Sequence, residues 1–228
     1  MKTKQTGFTL VEIAIVLVII GLLLGGILKG QEMIVQAKIK NAITDFSGIS
    51  AAYYGYQDRY RAIPGDDANA SRWTTPTGVV AGNGDSILTG LYNGTTAESM
   101  QFWDHLRRSG FVTGALGPTA PVNSFAGPMG VQQGDGIGTS GPPVVAVGAV
   151  MATANVPGFT NLIMCSTNLP DKVAIALDVQ MDDGSPFTGA VRANLVAGAA
   201  AIPATILTIA TSSYIETGTT TYTLCRQF

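Results

Sequence analysis

Charge is scarce in this chain: Asp, Glu, Lys and Arg make up 12% of its 228 residues, against 46% hydrophobic. A soluble domain of ordinary composition carries about twice that share of charge, so some part of the chain must find apolar surroundings. Histidine occurs once, as His105, and cysteine only at Cys165 and Cys225. There is no Gly-x-Ser-x-Gly segment, no glycine-rich loop ending in Lys-Ser/Thr, no His-Glu-x-x-His pair and no Cys-x-x-Cys. Those absences remove the usual signs of a serine hydrolase, a phosphate-binding loop, a zinc protease and a dithiol redox site. His105, between Asp104 and Leu106, lacks identifiable triad partners and reads as a structural or partly exposed residue. No enzyme and no cofactor are expected. Nucleic acid is also disfavoured, because the net charge is −2 and Arg107-Arg108, the one adjacent basic pair outside the amino-terminal segment, neutralises too few phosphates.

The apolar excess has a location. No charged side chain occurs between Ile13 and Leu28, and a helix over residues 8–28 is roughly 30 Å long, the thickness of a bilayer's hydrocarbon core. Ahead of it stands Met1-Lys2-Thr3-Lys4-Gln5-Thr6-Gly7, whose two lysines favour the cytoplasmic side and send everything after Leu28 across the membrane. Two cysteines suit an exported chain, since an oxidising compartment lets an isolated pair form a bridge. Two cysteines and one histidine make a poor metal site by comparison. A secretory signal would end in a small-residue cleavage site, whereas Gly25-Gly26-Ile27-Leu28 runs directly into Lys29-Gly30-Gln31-Glu32 and a continuing helical pattern. The apolar run is therefore expected to be retained.

Glu12 is a carboxylate at the edge of that run, where a charge at bilayer depth costs a few kcal/mol unless it finds a partner or snorkels to the headgroups. The stretch Lys4-Gln5-Thr6-Gly7-Phe8-Thr9-Leu10-Val11-Glu12 resembles the processing site of type IV prepilins and type II secretion pseudopilins. The resemblance implies a membrane peptidase and N-methyltransferase that cuts between Gly7 and Phe8 and methylates Phe8. It also implies that Glu12 pairs with the amino-terminal amine of a neighbouring subunit, acting in assembly and not in catalysis. Loss of Lys2 and Lys4 with the leader leaves 11 basic against 15 acidic side chains, a mature charge of −4.

Past the membrane, Ala42, Phe46, Ile49, Tyr53, Tyr56 and Tyr60 recur at steps of four and three, one face of a helix. The spacing predicts a helix of about 80 Å from near Phe8 to near Arg61, stopped by Pro64-Gly65. An aromatic stripe at this period is core before it is an electron path. Gly21, Gly25, Gly26 and Gly30 allow close helix approach or local melting, and serve equally as tolerated glycines.

After Pro64, loops and strands are expected. Thr95-Thr96-Ala97-Glu98 has capping-box spacing, and residues 97–109 read as a short amphipathic helix. Residues 144–152, 161–166, 205–210 and 220–225 read as strands of an antiparallel sheet, the last two forming a hairpin. Residues 171–183 fit a helix by Val173, Leu177 and Met181, and a strand by the alternation of Val173, Ile175, Leu177, Val179 and Met181. Pro170 before and Gly184 after lean towards helix. Ile63-Pro64-Gly65-Asp66, Phe102-Trp103-Asp104-His105-Leu106 and Leu177-Asp178-Val179-Gln180-Met181-Asp182-Asp183-Gly184 look like segments found together in one group of larger pilin-like proteins. The carboxyl-terminal pair, Cys165 and Cys225, resembles the disulfide-bounded region of type IV pilins.

Asp66, Asp67, Asn83, Asp85, Asp182 and Asp183 offer hard oxygen atoms for calcium, an ion some pseudopilins bind, although EF-hand spacing is missing and Asp-Gly or Asn-Gly pairs commonly just form turns. The resemblance implies an α+β, ladle-like pilin fold, with a long amino-terminal helix packed on a globular domain that carries an antiparallel sheet. Its parts are a leader at 1–7, the helix at 8–61 with 8–28 as membrane span and filament core, and an exported domain at 62–228. The implied role is a structural subunit of a type IV pilus or a type II secretion pseudopilus, with other pilin or pseudopilin subunits as partners. It would sit first in the inner membrane as a single-pass protein with its carboxyl-terminal domain periplasmic, and then in an extracellular pilus or periplasmic pseudopilus. The rival readings are an exported enzyme or binding protein that uses the helix only as a tether, and a minor pilin that binds DNA or a surface.

Overall fold

The computed structural model describes residues 7, 9–73, 78–92, 97–134, 159–186, 188–196 and 213–228. The chain divides into two compact units, Met1–Lys38 and Ile39–Phe228. Helix α1, Leu10–Tyr60, belongs to both. Within the first unit its residues are solvent-exposed nearly throughout.

In the second unit the same helix becomes one-sided. Ile39, Ala42, Phe46, Ile49, Tyr53 and Tyr56 are buried at alternating steps of three and four, as the spacing requires of a core-facing stripe. Tyr60 is half-buried against this core. The helix stops at Tyr60, where Arg61 turns to φ 53° and Ile63-Pro64 follows; proline lacks the N–H needed for another turn, and the residue before it disfavours the helical region. Gly65 then takes φ 92°, and a Cβ there would lie 2.4 Å from the Glu98 carbonyl oxygen. The chain passes so close to the next helix that only glycine fits.

That next helix, α2, is Glu98–Arg108, with Phe102, Trp103 and Leu106 fully buried. Its start departs from the expected capping box. Ala97 is the N-cap without a side-chain bond, and the Glu98 carboxylate instead accepts the N–H groups of Asn83 and Thr89 and the Thr89 hydroxyl. Thr95 and Thr96 lie outside the described residues.

Four antiparallel strands follow: β1 Met129–Gln133, β2 Leu162–Pro170, β3 Val191–Val196 and β4 Thr221–Gln227, in the spatial order β1-β2-β4-β3. β2 and β4 are the strands read at 161–166 and 220–225. The stretches 144–152 and 205–210, and with them the expected hairpin, lie outside the described residues. β1, Met-Gly-Val-Gln-Gln, and β3, Val-Arg-Ala-Asn-Leu-Val, escaped sequence reading because their polar and glycine positions mask strand propensity. They are strands because their neighbours pair with them.

Helix α3, Asp171–Met181, leaves β2 directly with Pro170 at its N-cap, so the ambiguous segment is a helix. Val173, Ala174, Leu177 and Asp178 are buried and share one face, while Val179 is 61% exposed; an alternating strand would have sent Val173, Leu177 and Val179 to the same side. α3 packs against β2, β3 and β4. One side of the sheet, including Leu162, Met164 and Leu224, joins the core formed with α1 and α2, and the other places Ile163, Cys165 and Cys225 with Tyr92 and Phe159.

Cys165 and Cys225 stand opposite each other in the β2/β4 register and are disulfide-bonded across a 60-residue separation. A crosslink closing a loop of that size stabilises by about 4 kcal/mol in the chain-entropy model. Reduction of the purified protein should therefore lower its thermal midpoint by roughly 8–16 °C, read by circular dichroism with and without reductant. Gly65→Ala should cost about 3 kcal/mol in denaturant unfolding, because it adds a side chain at positive φ against backbone.

Candidate functional site: the amino-terminal assembly segment

The first turn of α1 is built around Thr9 and Glu12. The Thr9 N–H and hydroxyl both donate to Glu12 Oε2 at 2.8 Å, and the Glu12 N–H donates to Thr9 Oγ1 at 3.3 Å. This is a reciprocal capping box, which satisfies backbone donors left over at a helix start. Among the described residues, the Glu12 carboxylate finds its hydrogen bonds in Thr9 alone. Sequence reading identified Glu12 and overlooked Thr9, although the Thr-x-x-Glu spacing was the available signal.

Beyond that turn the surface is continuous hydrocarbon. Leu10, Val11, Ile13, Ile15, Val16, Leu17 and Val18 are each about half exposed or more, and no atom approaches the space a Cβ would take at Gly21, Gly25, Gly26 or Gly30. Among the described residues this is the one helix long and apolar enough to cross a membrane. The first pair of opposite charges along it is Lys29 with Glu32, 2.7 Å apart and solvent-exposed. Gly7 is exposed; Phe8 and the six residues before Gly7 lie outside the described residues.

The other residues singled out from sequence have structural surroundings. His105 is completely buried. The Gly65 N–H donates to its Nδ1 at 2.8 Å, so Nε2 carries the proton and faces the Val80 carbonyl at 2.9 Å. The imidazole thus ties α2 to the turn after α1 and to the loop at Val80. Burial pushes its pKa below the usual histidine value, against the bond to Val80 and the charges of Asp67 and Asp104.

Asp66 accepts the N–H groups of Gly84 and Ser86, both at 2.7 Å. Asp67 accepts the Tyr56 hydroxyl at 2.6 Å, the Asn69 N–H at 2.8 Å and the Arg72 guanidinium at 2.8 Å. Burial opposes the Asp67 charge, but these donors prevail and hold its pKa below the ordinary aspartate value. Asp85 binds within its own turn, to the Asn83 amide and the Ile87 N–H. The structure thus separates the oxygen-rich residues: Asp66 and Asp67 face donors, and Asp182 and Asp183 lie at the far end of α3.

Two further acids were not singled out. Asp171 is buried at the start of α3, where its carboxylate receives the N–H groups of Thr217 and Gly218 and the Thr220 hydroxyl, pinning that loop beside β4. Asp178 is also buried and accepts the Tyr214 hydroxyl.

The neutral His105 gives a pH test. Its folded pKa lies below the unfolded value, so its contribution is complete above about pH 6.5 and is lost as pH falls. Thermal midpoints should decline below that pH, with His105 adding up to about 1.4 kcal/mol per pH unit. In His105→Gln the decline between pH 6.5 and 5 should be shallower.

No curated protein and no solved structure matches the chain. Residues 2–28, the span that contains Gly7, the Thr9–Glu12 cap and the exposed apolar helix, match the prokaryotic N-terminal methylation motif, the signature of type IV pilins and pseudopilins.

Proposed function

We propose that the chain is a structural subunit of a type IV pilus or type II secretion pseudopilus, assembled through its amino-terminal helix. The observation that carries this reading is the methylation motif lying directly on a membrane-length helix whose apolar surface nothing in its own unit covers. Such a surface is stable in lipid, or against copies and relatives of itself.

In this reading residues 1–7 are a leader, residues 8–61 the helix, of which 8–28 span the membrane and then form the filament core, and residues 62–228 the exported domain. A prepilin peptidase and N-methyltransferase cuts between Gly7 and Phe8 and methylates Phe8. Before assembly the chain crosses the inner membrane once, with its carboxyl-terminal domain periplasmic, and the disulfide supports an oxidising destination. The motif is that of structural pilin-like proteins, and the reading assigns no reaction to the chain.

The Thr9–Glu12 cap supplies a physical account of the Glu12 step. In the single subunit Thr9 hydrogen-bonds the carboxylate. On assembly the cap is exchanged for the cationic amine of a neighbour's Phe8. A charge-assisted bond replaces neutral donors, and helix packing replaces lipid contacts.

Two measurements test the reading. Mass analysis of the protein from its host should return a chain beginning at methylated Phe8; an intact Met1 overturns the assignment. Glu12→Ala should leave membrane insertion intact while reducing incorporation into sheared filaments by at least tenfold. Normal incorporation would remove Glu12 from assembly.

A further inference from the structure

On the part of α1 that belongs to the second unit, Asp45 lines a groove of about 370 Å³, whose other walls include Ile49, Trp103, Phe111, Val122 and Met129. The carboxylate is half-buried among these apolar side chains. Burial raises its pKa above the ordinary aspartate value, and no opposing interaction lowers it. Among the described residues no hydrogen-bond donor and no cation answers it, whereas the buried Asp66, Asp67, Asp104 and Asp171 each receive donors. A carboxylate partly withdrawn from water without a partner is costly. Gly48, one turn further on, lines the same groove and leaves it open, since no atom lies within 4 Å of the place a Cβ would take.

Lys40 presents the opposite charge on the opposite kind of surface. It is exposed, and among the described residues it is in no ion pair, while Lys29, Arg61, Arg72, Arg108 and Lys172 are each in one. Five residues apart, the side chains of Lys40 and Asp45 leave the helix on different sides, so one chain cannot pair them.

We propose that Asp45 receives Lys40 of the neighbouring copy in the filament, the same neighbour whose Phe8 amine reaches Glu12. The inference rests on the filament reading and gives it a second contact in the same register. A neighbour whose Phe8 is level with Glu12 is offset by four residues, about 6 Å along a helix. A filament repeats one operation, which moves every atom of a copy by the same rise, so the offset recurs wherever α1 runs along the axis. It carries the neighbour's Lys40 to the level of Thr44, about 1.5 Å from that of Asp45. The four-carbon stem of a lysine spans that difference. Laid against the groove's apolar walls, the stem buries its methylenes and leaves the ammonium at the carboxylate. A cation on an apolar stem is what a lone carboxylate in an apolar groove lacks.

The test uses the full chain in its host, read as incorporation into sheared filaments. Lys40→Asp and Asp45→Lys should each lower incorporation about tenfold by setting like charges opposite one another, and the chain carrying both should recover at least roughly half of the parent's level. Asp45→Asn removes an unpartnered charge and keeps the side chain's shape, so it should cut incorporation roughly threefold without lowering the thermal midpoint in detergent. Crosslinking reads the position. On oxidation, filaments of a chain with Lys40→Cys and Asp45→Cys should give a ladder of linked copies. A chain with Lys40→Cys and Ala51→Cys, an exposed position about 9 Å further along the helix, should not. Normal incorporation of the single reversals, no recovery in the double, a lowered midpoint in Asp45→Asn, or a ladder no stronger from the Asp45 chain than from the Ala51 control would each overturn the inference and leave the filament reading standing. A parent chain absent from filaments would overturn both.

Discussion

A helix surface made of leucine, isoleucine and valine, with nothing in its own unit to cover it, is the constraint around which this protein is organised. Apart from Glu12, the side chains from Leu10 to Leu28 offer only hydrocarbon, and water penalises such a surface in proportion to its area. Lipid relieves the penalty, and so do equivalent helices. The sole acid in that stretch, Glu12, is tied to Thr9 at its start, so the helix can begin without leaving either the carboxylate or its first N–H groups unsatisfied.

The same helix changes character after Lys38, and the physical reason is side-chain periodicity. Residues 39–56 place apolar groups on one stripe, which the sheet and α2 cover. Where the helix ends, packing is so close that polar groups must be matched one by one. Gly65 fits beneath α2 only because it has no side chain, its N–H is taken by His105, and Asp66 and Asp67 gather the donors of the turns that follow. Histidine here acts as a two-ended hydrogen-bond bridge, a role that burial enforces by keeping the ring neutral.

At the end of α3, burial and like charge outweigh the available donors, which sets Asp178 apart from Asp171. Asp171, at the other end of α3, is surrounded by N–H and O–H donors and its pKa is held low despite burial. Asp178 takes the Tyr214 hydroxyl and a backbone hydrogen bond from Gly184, but burial and the charges of Asp182 and Asp183 outweigh them and push its pKa up to about 6. The contrast between these two acids, seven residues apart, is between a carboxylate ringed by donors and one crowded by like charges.

Local chemistry sufficed for α1: composition marked the membrane-length run, steps of three and four marked the buried stripe, and Pro64-Gly65 marked the stop. The short helix near residue 98 and the strands at β2 and β4 were legible for the same reason, since apolar pattern and turn residues coincide there. What tertiary structure decided was everything set by partners distant in the chain. β1 and β3 are strands through pairing, despite the polar side chains that obscure them. Residues 171–181 are helical because, of two competing periodicities, the helical one, towards which Pro170 and Gly184 already leaned, matches the face presented by the sheet. Glu98 caps a distant loop instead of its own helix, and Asp178 differs from Asp171 in the donors and the acidic neighbours that folding brings to it. Periodicity along a chain reports which face is apolar; which hydrogen bonds a buried group obtains depends on neighbours that adjacency in sequence does not specify.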